Sequence, residues 1–111
     1  MIELTEKILD EIKESIVREV NPERLYMFGS RARSDAKKDS DIDLLVIEQE
    51  PFGSQKSRLN EMSRIRKAIP EYAIPMDILV YSKDEIEKWR HSVNHVVYRC
   101  LKEGRLLYER P

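Results

Sequence analysis

Three aspartates stand where local structure gives no reason for them. Asp41-Ile42-Asp43 leads straight into Leu44-Leu45-Val46-Ile47, and Asp77 lies inside Pro75-Met76-Asp77-Ile78-Leu79-Val80, although strand interiors disfavour aspartate. Residues i and i+2 of a strand share a face, roughly 6.5 to 7 Å apart along it, so Asp41 and Asp43 can converge on one small volume. If the Asp77 strand is their neighbour in the sheet, about 5 Å away, all three carboxylates surround that volume. Three such anions repel, and at least one protonates unless a cation holds them. Hard oxygen donors without His or Cys fit Mg²⁺ or Mn²⁺ better than zinc.

Just upstream is Phe28-Gly29-Ser30-Arg31-Ala32-Arg33, read as a strand that stops on glycine and turns into a short helix. Glycine lets a ligand approach the backbone, and free amides at a helix start favour a phosphate. Ser30 adds a hydroxyl donor, and a guanidinium offsets phosphate charge. Arg33 is preferred to Arg31, since one face alone of so short a helix can look at the phosphates. A phosphate cradle joined to a carboxylate cluster suits phosphoryl or nucleotidyl transfer, in which two divalent ions roughly 3.5 to 4 Å apart clamp the attacking and leaving oxygens.

These side chains need a scaffold, and the pattern supplies one. Ile8, Ile12, Ile16 and Val20, widened by Leu9 and Val17, predict an amphipathic helix over 5–20, capped by Thr5 and ended at Asn21-Pro22. Leu25 to Phe28 and Asp41 to Ile47 read as strands, the latter buried on both faces at its far end. Lys37-Lys38-Asp39 is turn material, with Asp39 a turn former. Leu59, Met62, Ile65 and Ile69 predict a helix over 57–69 closed by Pro70, and 74–80 reads as a third strand. Ser82-Lys83-Asp84-Glu85 matches a capping box, from which one or two helices run to Glu103. Gly104 suits a left-handed residue past the helix end, and Leu106-Leu107-Tyr108 a terminal strand or extended tail. This order predicts the α/β class, a small mixed sheet covered by helices.

Composition bounds the rest. With 111 residues, one core and one domain over 1–111 is the expectation. The balance of 20 Lys plus Arg against 21 Asp plus Glu gives no global case for nucleic acid or an anionic membrane. The single cysteine, Cys100, has no internal disulfide partner and reads as core filler. The start lacks the basic residues of a secretory signal and no run approaches the ~18 apolar residues of a membrane span, so a cytoplasmic location is expected.

Taken jointly, Gly29-Ser30 with Arg33, then Ser40-Asp41-Ile42-Asp43-Leu44-Leu45-Val46, then a lone distal Asp77, resemble the minimal nucleotidyltransferases of the DNA polymerase beta superfamily. The resemblance covers almost the whole chain, including the tail Leu101 to Arg110. Ser34 departs from it, where many relatives carry glycine. The resemblance implies a polymerase-beta-like fold, Asp41 and Asp43 bridging two Mg²⁺ ions with Asp77 completing the catalytic one, and Gly29 and Ser30 on the triphosphate. It also implies a role as antitoxin to a helical HEPN ribonuclease toxin, bound as a hetero-oligomer, by transfer of AMP from ATP to a toxin tyrosine.

Other residues have plainer readings. His91 and His95, four apart on a predicted helix, lack a zincin context and suit packing or an interface. Arg90 and His95 also match the Arg-x4-His spacing of the HEPN toxins, but three strands argue against an all-helical toxin. Lys56, Arg58, Arg64, Arg66 and Lys67 form a solvated basic face, with partner or RNA docking as the other reading. Trp89 and Tyr98 suit the core. Two further functions stay open: transfer to a small-molecule hydroxyl such as an aminoglycoside's, and antitoxin action by occlusion alone.

Overall fold

A computed structural model describes residues 3–33, 40–72 and 74–111. The expectations for Ser34 and for the turn at 37–39 lie outside the described residues. The elements run α1 (Glu6–Val20), β1 (Arg24–Phe28), β2 (Ile42–Glu48), α2 (Arg58–Ala68), β3 (Met76–Ser82), α3 (Lys83–Trp89), α4 (Val96–Glu103) and β4 (Arg105–Glu109). The strands form one mixed sheet in the order β3-β2-β1-β4. β1 lies antiparallel to β2 and to β4, and β2 runs parallel to β3.

Period-two alternation divides the sheet residues between two cores. Leu25, Met27, Ile42, Leu44, Val46, Ile78 and Val80 face α1 and α2, where Ile12, Ile16 and Ile65 are fully buried. Tyr26, Leu45 and Ile47 face α3 and α4, against Ile86, Val97 and Cys100. β2 is therefore covered on both faces from Leu44 to Ile47, as its unbroken apolar run requires. Burial pushes the Cys100 thiol up to about 12, in keeping with core filler.

Helix ends follow the sequence closely. The Thr5 side chain accepts from the Ile8 amide, Asn21 ends α1 in the left-handed region at φ 45°, and Ser82 with Glu85 closes a full capping box. Four expectations need correction. Leu59 is 75% exposed; the inward face of α2 instead buries Glu61 with Ile65, because Glu61 has Arg64 and Glu48 beside it. The third strand is displaced two residues, to Met76–Ser82, and runs directly into the cap of α3. Gly104 is extended at φ −74°, and what requires glycine there is the carbonyl of Cys100, which a Cβ would overlap. His91 and His95 do not share a helix: His95 is the N-cap of α4, its Nδ1 accepting from the Val97 amide at 3.1 Å, while its ring stacks on Trp89 at 4.6 Å.

The basic segment is less of a solvated face than its composition suggests. Lys56 pairs with Glu48 at 2.8 Å and Arg64 with Glu19 at 2.9 Å. Arg58 donates to the Val80 carbonyl at 2.6 Å and to Glu85, and Arg66 to the Met76 carbonyl at 3.3 Å. Two of these guanidiniums thus occupy carbonyls of β3, a strand at one end of the sheet order, and blunt it against further pairing.

Candidate active site

The site forms where β1 ends and β2 and β3 begin. Phe28 of β1 is the register partner of Asp43 on β2, and Asp43 is the partner of Asp77 on β3. Partnered positions on adjacent strands lie about 5 Å apart with side chains on one face, here the face shared with Leu45, Leu79 and Tyr26. Parallel pairing is what sets Asp77 beside Asp43, and the Ile42 amide, which donates to the Pro75 carbonyl at 2.9 Å, fixes the two strand starts together. Asp41 precedes the first residue of β2, so it belongs to the approach and not to the strand proper.

At the end of β1 the chain turns on Gly29, at φ +75°. A Cβ there would overlap the Asp43 carboxylate. Glycine therefore serves both the left-handed geometry and the room Asp43 occupies. The amides of Ala32 and Arg33 donate to the Gly29 carbonyl at 3.1 and 3.2 Å, making a single helical turn. Arg31 donates from Nε and Nη2 to the Ser40 carbonyl at 3.0 and 2.7 Å. It ties the turn after β1 to the residue before Asp41. Arg33 remains toward the site, 3.5 Å from Glu103 of α4.

The electrostatics show that the carboxylates act on one another. Asp43 is held above the ordinary carboxylate range first by partial burial, then by the charges of Asp77 and Asp41, with Arg33 pulling the other way. Asp41 and Asp77 are exposed, and among the described residues no three carboxylate, imidazole or thiolate groups are already closed around one point. A hard divalent cation fits this donor set, because it would relieve the repulsion that raises Asp43 and draw the three oxygen donors together.

A recess of about 350 Å³ adjoins the turn, lined by Phe28, Gly29, Arg33, Val96, Arg99 and Glu103. A larger one, about 640 Å³, lies between the end of α2 and the start of β3. It opens on the other sheet face, that of Met76 and Ile78, and the three aspartates do not line it. Arg99 and Glu103 were not evident as site residues. Val96, Arg99 and Glu103 do repeat at helical spacing, but nothing in the sequence says that this face of α4 meets Gly29.

This fold and this site define a class. The chain belongs to the nucleotidyltransferase domain family, whose model matches residues 9–106. It is 32% identical over 76 residues, 67% of this chain and 72% of the other, to a Methanocaldococcus jannaschii protein assigned as a protein adenylyltransferase. It is 29% identical over 103 residues, 90% of this chain and 84% of the other, to a Haemophilus influenzae protein assigned as the protein adenylyltransferase MntA. Among solved structures it resembles a Sulfolobus solfataricus protein assigned as a nucleotidyltransferase, with TM-score 0.65 at 25% identity over 94% of this chain and 79% of that one. In fold it also matches a toxin–antitoxin complex with AMP-PNP (TM-score 0.55, 16% identity, 96% and 74% covered) and a spectinomycin adenyltransferase from Enterococcus faecialis (0.68, 18%, 97% and 57%). The polymerase-beta-like nucleotidyltransferase fold expected from the sequence is thus the fold observed.

Proposed function

We propose that this protein transfers AMP from ATP to a hydroxyl, a tyrosine's, on a cognate HEPN ribonuclease toxin, and so acts as that toxin's antitoxin. The observation that carries the reading is the row Asp77, Asp43 and Phe28 across three adjacent strands, which sets neighbouring carboxylates beside the glycine turn that follows β1. The relatives assigned as protein adenylyltransferases support a protein acceptor, and the fold neighbour in a toxin–antitoxin complex supports the kind of partner.

In this mechanism the turn on Gly29 brings Ser30 and Arg33 to the polyphosphate, Ser30 donating its hydroxyl to a phosphate oxygen and Arg33 offsetting charge. Asp41, Asp43 and Asp77 would hold Mg²⁺, or Mn²⁺, which when bound supplies charge neutralisation at the reacting phosphate. The acceptor oxygen forms a bond to the α-phosphorus as the bond from that phosphorus to the bridging oxygen breaks. The electron pair of the broken bond leaves with pyrophosphate, and the acceptor's proton passes to solvent by way of the exposed Asp77 carboxylate. The direct test is mass spectrometry of the partner toxin after incubation with this protein, ATP and Mg²⁺. Addition of AMP to a toxin tyrosine is expected; a bound but unmodified toxin would instead support occlusion, and modification of an added aminoglycoside alone the small-molecule reading.

A further inference from the structure

The strand order gives the site a direction. Asp77 lies on β3, Asp43 on β2, and Gly29 follows β1, so the acceptor side at Asp77 and the recess beyond Gly29 are on opposite sides of Asp43. An in-line displacement at Asp43 would send its leaving group toward that recess. Arg33 and Arg99 stand there, one from the turn and one from α4.

The two guanidiniums are not equivalent. Arg33 is 3.5 Å from Glu103, which offsets part of its charge. Arg99 is exposed and has no ion pair or side-chain hydrogen bond among the described residues, whereas Arg58, Arg64 and Arg105 are each tied to a carboxylate. Arg18 also has none, but it is exposed on α1 and lines neither recess. Arg99 thus brings a fork-shaped donor without an ion-pair partner to a recess that Gly29 and Arg33 of the turn also line, an arrangement that suits a polyanion.

We infer that Arg99 is a positioning residue for the nucleotide, holding its β- and γ-phosphates and then the departing pyrophosphate. The inference rests on the nucleotidyl-transfer reading above. Its test is calorimetry of the full chain with ATP, AMP and inorganic pyrophosphate, each with Mg²⁺, for the wild type, Arg99→Ala and Arg99→Lys, beside thermal melts. Arg99→Ala should weaken ATP and pyrophosphate about tenfold or more, the scale of a lost charge-assisted hydrogen bond. AMP binding should change less than about twofold, Arg99→Lys should recover part of the loss, and the exposed position predicts an unchanged melting temperature. Wild-type affinity for ATP in Arg99→Ala would overturn the assignment, as would an equal loss for AMP, which would put Arg99 on the base or ribose. A wild type that binds neither ATP nor pyrophosphate would overturn the nucleotidyl-transfer reading itself, a result separable from failure of the Arg99 assignment alone.

Discussion

The Asp43 carboxylate occupies the space that a side chain on Gly29 would fill. The two residues lie on different strands' ends, fourteen positions apart in number by subtraction of 29 from 43, yet each limits what the other can be. The geometry of the turn and the placement of the carboxylate are therefore one structural feature.

Gly29→Ala tests it. Alanine at φ +75° costs roughly 1 to 2 kcal/mol for the left-handed backbone alone, and its methyl group must displace Asp43. The expected outcome is a lower melting temperature together with loss of transfer beyond what the lost folding explains, measured by chemical denaturation and turnover on the same preparation. Full activity at unchanged stability would show that the turn can reorganise away from Asp43.

Asp77→Asn should abolish AMP transfer while the fold and binding of the partner persist. Asp77 is exposed and adds to the repulsion that raises Asp43, so the amide removes charge without removing packing. A melting temperature equal to or above that of the wild type is expected in the absence of metal. Retained transfer by this variant, read by mass spectrometry, would remove Asp77 from the mechanism.

Glu48 offers a stability test far from the site, at the other end of β2. It is 5% exposed and held above the ordinary carboxylate range, first by burial and then by the neighbouring Glu61 carboxylate, with Lys56 opposing. A raised folded-state value means the native state binds the proton more tightly than the unfolded chain. The stabilisation is therefore complete below the unfolded glutamate range and is lost as pH rises through the folded value. Glu48→Gln keeps the shape and an acceptor for Lys56 but cannot ionise. Its melting temperature should exceed the wild type's at pH 8 and lose that advantage by pH 4; the reverse trend would contradict the carboxyl–carboxylate contact.

Arg58→Ala should be destabilising although Arg58 lies on a charged, partly exposed helix start. Its guanidinium donates to the Val80 carbonyl and to Glu85, and lies 4.7 Å from the centroid of the Phe52 ring. Losing donors to a charged partner and to a strand-edge carbonyl costs roughly 2 to 3 kcal/mol. Urea denaturation checks it, and a change below about 0.5 kcal/mol would mean the pair is a solvated surface contact.

The sequence by itself singled out the side chains proposed to carry the chemistry. Asp41, Asp43 and Asp77 were conspicuous because aspartate opposes the local preference of a strand, and Gly29-Ser30 because glycine ended an apolar run; such signals are local and survive without a fold. Helix caps at Thr5 and Ser82 were legible for the same reason, being bonds between residues a few positions apart. What needed tertiary structure was everything set by partners distant in the chain. The parallel register of β2 with β3 decides that Asp77 meets Asp43, and the packing of α4 decides that Arg99 and Glu103 face Gly29. Leu59 and Glu61 show the limit of periodicity: spacing marks one face of α2 as apolar, but Arg64, Glu48 and Lys56 make burial of a glutamate there tolerable, and the partners come from other parts of the fold. Likewise helical geometry ranks Arg33 above Arg31 in the sequence without saying what Arg31 does instead, and the fold supplies that answer in the Ser40 carbonyl, which accepts from Arg31 twice.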